Sequence, residues 1–282
     1  MINLVAINSR VMKKFLLAFA LVALTVSCAT NKAPKILVLY YSQTSTTRMV
    51  AEEIGSRLGA DIEAIVPAVP YDGDYQATIS RGIQEREEGT VPEIRPLAAD
   101  LDAYDYIFLG YPIWFGTYAP PIAGLLETVD LDGKKIVPFC TFGSGGLDAS
   151  VRDLKAKLPN AEILPGYGVR AARIDAMPAE IDRFLKTGGF LEGEVPVVEE
   201  FSEVRPVTEE ESALFDAAVG DYPMIHAKAE EVSFRPVPGG TEYLFTARDL
   251  PRDPAAEMPA STMKIHVLAE EGKAPVFTQV VR

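Results

Sequence analysis

Between residues 35 and 188 the chain alternates, five times over, between short apolar runs and longer stretches with helical spacing. The runs are ILVLYY (36–41), DIEAIVP (61–67), YDYIFLGYPIW (104–114), KKIVPFCTF (134–142) and AEILPGYGV (161–169). The stretches are TTRMVAEEIGSRLG (46–59), DYQATISRGIQEREEG (74–89), YAPPIAGLLETVDL (118–131), SGGLDASVRDLKAKLP (144–159) and MPAEIDRFLKTGG (177–189). In the first of these, Met49, Val50, Ile54 and Leu58 recur at the steps of one helix face, and Gly59 supplies a stop. A continuous apolar run such as 36–41 suits a strand covered on both faces. This alternation admits few topologies: it predicts a parallel sheet with helices on both faces, joined by right-handed crossovers.

The segment YYSQTSTTRMVAEEI (40–54) joins the first strand to the first helix, and six of the eight residues from Tyr41 to Arg48 carry a hydroxyl. In open parallel sheets, ligands sit beyond the carboxyl ends of strands, where strand order reverses. A helix that starts there offers unpaired N–H groups and a partial positive charge to an anion. Small hydroxyls add donors without bulk. Ser42, Thr44, Ser45, Thr46 and Thr47 are therefore read as a phosphate cradle. The alternative is helix capping by Thr46 or Thr47, which accounts for one or two hydroxyls rather than five. No GK[ST] follows, which argues against a Walker-type nucleotide triphosphatase.

The same segment resembles the phosphate loop of flavodoxins: two aliphatics, an aromatic, a Ser, then a Thr opening a helix. Val38, Leu39, Tyr40, Ser42, Thr47, Ala51 and Ile54 match; Ser45 stands where Gly, Ala or Cys is usual, and Thr46 where Asn is frequent. GYPIWFGTYAPPI (110–122) is similar to the family's loop against an isoalloxazine ring, with Pro112, Ile113, Trp114, Phe115, Gly116 and Thr117 as the implied contacts. TFGSGG (141–146) resembles the second ring loop and implies Phe142, Gly143, Ser144 and Gly145. Residues 71–88 are similar to the corresponding segment of short bacterial flavodoxin-like proteins. The resemblance covers about residues 35–188 and implies a flavodoxin-like α/β domain, a five-stranded parallel sheet of order 2-1-3-4-5, with FMN as cofactor. Trp114 as a core anchor and 143–146 as a bare turn are the competing readings.

The rest of the chain differs. Residues 189–210 are acidic and Pro-containing and are read as a linker; 211–282 are read as a small α+β domain of one helix and about four strands, faintly similar to cystatin-like folds. Residues 189–282 hold 18 acids against 8 bases, most of an excess that brings the whole chain to −13. So acidic a chain is a poor match for nucleic acid, whose phosphates need Lys and Arg. Around a flavin, negative charge pushes the reduction potential down. At the other end, residues 12–28 form a basic, then apolar, then small-residue pattern ending in Cys28, similar to the export signal of a bacterial lipoprotein, with residues 1–11 as upstream sequence. Its apolar run is shorter than the ~20 residues that span a bilayer. With Cys28 lipidated, Cys140 has no partner for a disulfide and is read as a small buried hydrophobe. His226 and His266, without nearby cysteines, make no zinc site, and no metal is expected.

The function implied is an exported, lipid-anchored protein on the periplasmic or cell-surface face that binds FMN. It either carries electrons to a redox partner protein or acts as an NAD(P)H- or quinone-linked reductase of a small-molecule acceptor. The alternative is a non-redox lipoprotein whose cofactor-free flavodoxin-like domain binds partners.

Overall fold

The computed structural model describes residues 33–72, 74–195, 197–220, 222–251 and 261–281. The signal-like segment and Cys28 lie outside them. Strand β1 (Ile36–Tyr40) sits between β2 (Asp61–Ala64) and β3 (Tyr106–Trp114); β3 pairs with β5 (Lys135–Phe142), and all these pairings are parallel. Beyond β5 lie two short parallel strands, β6 (Glu162–Ile163) and β7 (Tyr167–Arg170). Counting the principal strands in turn, this is the order 2-1-3-4-5 that the sequence predicts.

All five residues of β1 are buried, as an apolar run without alternation requires. Leu37, Leu39, Ile107, Leu109 and Ile136 face one helical layer, built from α3 (Pro120–Leu126) and α4 (Leu147–Lys157). Ile36, Val38, Phe108, Val137 and Phe139 face the other, built from α1 (Thr46–Leu58) and α5 (Met177–Thr187). The period-two alternation of side chains along a strand separates the two cores. Burial of a residue such as Ile54 or Ile122, both fully enclosed, stabilises the fold by about 1.5–3 kcal/mol.

Two departures from the sequence reading concern this sheet. The last strand, expected over 161–169, is broken in two at Leu164–Gly166, where Pro165 has no N–H for a ladder. The helix expected from residue 118 starts at Pro120, because Thr117–Tyr118 form a short strand, β4, that turns back antiparallel onto β3. Helix α2 (Tyr75–Glu88) buries only Gly82, fewer residues than α1, α3, α4 or α5.

The C-terminal part is a helix, α6 (Glu209–Val219), on one face of an antiparallel sheet. Its strands are β8 (Arg205–Pro206), β9 (Ala227–Val237), β10 (Gly240–Asp249), β11 (Thr262–Glu270) and β12 (Val276–Val281), adjacent in chain order. Phe215 of α6 meets Phe245 of β10 with ring centres 5.2 Å apart. Gly239, at φ 84, makes the hairpin turn between β9 and β10, a conformation glycine adopts without penalty. The stretch read as a linker is structured at both ends. Phe190 packs edge-on against Tyr106 and Phe108 of the first sheet, while Ser202 bonds to Phe234 and β8 adds to β9. Both sheets belong to one compact unit, Lys35–Arg282.

Candidate functional site

The hydroxyl loop leaves β1 and enters α1 through Ser45, whose backbone is left-handed at φ 69. That conformation is costly for a residue with a Cβ and free for glycine, one of the residues usual there. Ser45 is the N-cap of α1, yet no side chain caps the helix, so Thr46 and Thr47 do not have the capping role that was the alternative reading. Ser42 Oγ is buried and, among the described residues, has no hydrogen-bond partner. Thr44 and Thr46 face each other with hydroxyls 3.4 Å apart. Thr47 is withdrawn from this group: its buried hydroxyl lies 2.8 Å from that of Thr141 at the end of β5.

A cleft of about 340 Å³ opens beside the loop, lined by Tyr41, Ser42, Gln43, Ser45, Arg48 and Tyr71 among others. Arg48 escaped the sequence reading. It is exposed, one turn into α1 and 3.6 Å from Glu52, and it adds a positive charge where the helix dipole is already positive.

The second loop is a two-residue hairpin turn: Trp114 pairs with Thr117, and Phe115 and Gly116 take φ 53 and 88. Two positive φ values match the right-handed twist of a hairpin, but a bulky aromatic at the first is strained. Phe115 is exposed, and Gly82 of α2 lies under it; a Cβ on Gly82 would come within 2.9 Å of the Phe115 ring. Trp114 is half-buried and meets Tyr71 and Tyr41 edge-on at 5.2 and 6.0 Å. Tyr71 in turn donates to Glu85 and carries the Arg81 guanidinium 3.8 Å over its ring. Burial, then the hydrogen bond to Glu85, raises the Tyr71 phenol above its ordinary value; burial does the same for Tyr41, so both stay protonated at neutral pH. These partners lie on residues 71–85, and the tyrosines and arginine in that segment were the available signal.

The third loop follows β5. Phe142 is buried, Gly143 exposed, Ser144 and Gly145 half-buried. All three loops meet. Thr47 joins the first to the end of β5, Trp114 touches Tyr41 of the first, and Ile113 packs where a Cβ on Gly146 would be 2.6 Å away. Pro112 holds the hairpin base by accepting from the Ala119 amide at 3.1 Å, and Thr117 donates to Asp153. Cys140, just below, is wholly buried, and burial pushes its thiol far above the ordinary range. Among the described residues no acid, His or Cys cluster is built to hold a metal, and no helix is long and apolar enough to cross a membrane.

The sequence model of the flavodoxin family matches residues 35–177, half of the chain, and the chain belongs to that family. A candidate flavoprotein from Bacteroides eggerthii is 34% identical, with 53% of this chain and 96% of that one covered and a TM-score of 0.45. A candidate flavoprotein from Bacteroides uniformis is 27% identical, over 54% and 99%, with a TM-score of 0.48. A flavoprotein from Lactobacillus acidophilus, solved in complex with FMN, is 26% identical over 48% and 93%, with a TM-score of 0.45. No curated protein matches.

Proposed function

We propose that this chain binds FMN at the carboxyl ends of β1, β3 and β5 and uses it for electron transfer or flavin-dependent reduction. The observation that carries the reading is the Ser42 hydroxyl, buried and unpartnered beside an uncapped helix start. A buried donor left unmade costs about 1–3 kcal/mol, and chains keep such groups where something else satisfies them. A phosphate fits. Its oxygens would take donors from Ser42, Thr44, Ser45, Thr46 and the first N–H groups of α1, with Arg48 nearby. The residues of 112–117 and 142–145 would border the ring.

The flavin supplies the hydride and one-electron chemistry when bound. The chain's own residues hold the phosphate, keep water from one side of the ring and shape the local field. We further propose that the chain is an exported lipoprotein, anchored through Cys28 on the periplasmic or cell-surface face, serving a redox partner protein or a small-molecule acceptor there. The support is the basic–apolar–small pattern of 12–28.

Purified full chain should be yellow, or take up added FMN and quench its fluorescence. NADH or NADPH oxidation coupled to a quinone then separates a reductase from a carrier. A second reading, cofactor-free partner binding, is favoured by the edge-on packing of Trp114 against Tyr41 and Tyr71 and by the engagement of Thr47 with Thr141. A colourless protein that ignores added FMN establishes that reading instead.

A further inference from the structure

Arg170 ends β7 and is only 8% exposed. Its Nε donates to the carbonyl of Gly143 at 2.9 Å, and its Nη1 donates to the carbonyl of Phe277 on β12 at 2.7 Å. The guanidinium also lies 3.4 Å over the Phe277 ring and 5.3 Å from the centre of Tyr222. Among the described residues no carboxylate pairs with it. A buried cation held by carbonyls and rings, without a counter-charge, is an expensive arrangement. The planar fork of arginine allows one side chain to bond carbonyls of two domains at once.

The neighbouring contacts lead to the same loop. Val280 N–H, on the edge strand β12, donates to the Ser144 carbonyl at 2.7 Å. A Cβ on Gly145 would stand 2.1 Å from the Val280 carbonyl, and one on Gly143 would stand 2.8 Å from the Tyr222 hydroxyl. Neither glycine has a positive φ. The smallness of Gly145 is therefore required by the close approach of the β12 backbone rather than by the turn, while Gly143 lies beside the tip of the Tyr222 side chain. Three consecutive loop residues, 143 to 145, are contacted from one side by that domain.

We propose that the C-terminal domain is a working part of the cofactor site: Arg170, with β12 and Tyr222, holds the 143–145 backbone in the shape the flavin meets and places a positive charge behind it. This rests on the FMN reading above. Arg170 is a positioning residue, acting through the loop. Its charge also favours added electron density on a bound flavin, so it opposes the acidic surroundings.

The test is FMN affinity, midpoint potential and amide hydrogen exchange at 143–146, measured on the full chain and on the variants Arg170→Gln, Arg170→Lys and Gly145→Ala. Arg170→Gln is expected to bind FMN about tenfold more weakly or worse, the worth of a hydrogen bond to a charged group, and Gly145→Ala to bind it more weakly because the added methyl meets the Val280 carbonyl. Both should exchange the loop amides faster. Arg170→Gln should also lower the midpoint potential, and Arg170→Lys, which keeps the charge, should restore the potential towards wild type while exchange stays fast. Gly145→Ala leaves Arg170 in place, so it answers for affinity and exchange if Arg170→Gln fails to fold. A yellow wild type whose variants keep its affinity, potential and exchange overturns this inference alone. A wild type that never binds FMN overturns the flavin reading, and this one with it.

Discussion

Val280 donates its backbone N–H to the carbonyl of Ser144, joining the edge of one sheet to the loop that follows β5 of the other. Because β12 is an edge strand, the outward N–H groups along it are otherwise open to water or to another chain. Proline is tolerated on such edges when the lost N–H points away from the ladder. Val280→Pro is therefore expected to leave the pairing of β12 with β11 in place but to push the 143–145 loop off this edge, because the ring carbon that replaces the N–H meets the Ser144 carbonyl, at a cost of about 3 kcal/mol. Chemical denaturation with tryptophan fluorescence and far-UV dichroism checks it. A loss of strand signal in the far-UV spectrum would mean that the N–H belongs to the ladder after all.

Ser42→Ala separates stability from binding. The hydroxyl is buried without a partner, so its removal should leave the cofactor-free protein equally stable or about 1 kcal/mol more stable. FMN affinity should fall about tenfold, because a phosphate donor is gone. Thermal melts with and without FMN read both effects on one sample. A variant that is less stable without FMN and unchanged in affinity would assign Ser42 to the scaffold.

Ser45→Gly relieves a left-handed backbone at φ 69. Such a conformation costs an L-residue roughly 1–2 kcal/mol, against which glycine loses about 0.5–1 kcal/mol of chain entropy. The variant is expected to be as stable as wild type or up to about 1 kcal/mol more so without FMN, while FMN affinity falls up to about tenfold because the Ser45 hydroxyl is one of the proposed phosphate donors. Destabilisation would show that the Ser45 side chain has a partner of its own when the loop closes on a ligand.

The alternating elements were legible in the sequence because each central strand is covered on both faces, so nothing but apolar residues can occupy it; β1 is the plainest case. The hydroxyl loop was legible for a related reason, since five small hydroxyls within six residues exceed what capping needs. That Thr47 turns inward was not, because its partner Thr141 is 94 residues away and the direction depends on where β5 ends. Trp114 could be placed at a strand end, but its neighbours Tyr41 and Tyr71 come from two other loops. Least legible was the meaning of Gly143 and Gly145. Their composition suggests a turn or a ring contact, whereas the approach of Val280 and Tyr222 depends on the docking of a domain that carries no recognisable motif.

The acidic C-terminal region offers one clean pH test. Thr208 and Glu211 form a capping box at the start of α6, and Arg205 grips the same carboxylate with two bonds of 2.8 and 2.6 Å. The Arg205 guanidinium first, then the Thr208 amide and hydroxyl, hold the Glu211 carboxyl down at about 2 from an ordinary 4.5. In the unfolded chain that carboxyl takes up its proton near the ordinary value. The stability it contributes is therefore complete above pH 4.5 and is lost as pH falls towards 2. Glutamine at 211 can keep the capping geometry, since Gln serves in a capping box, but it cannot titrate. Urea midpoints of the full chain should thus fall more steeply between pH 4.5 and 2 for wild type than for Glu211→Gln, with the two curves converging at the acid end. Parallel curves across that window would mean that the Arg205–Glu211 contact is too open to solvent to hold the carboxylate, in keeping with the small worth of exposed ion pairs.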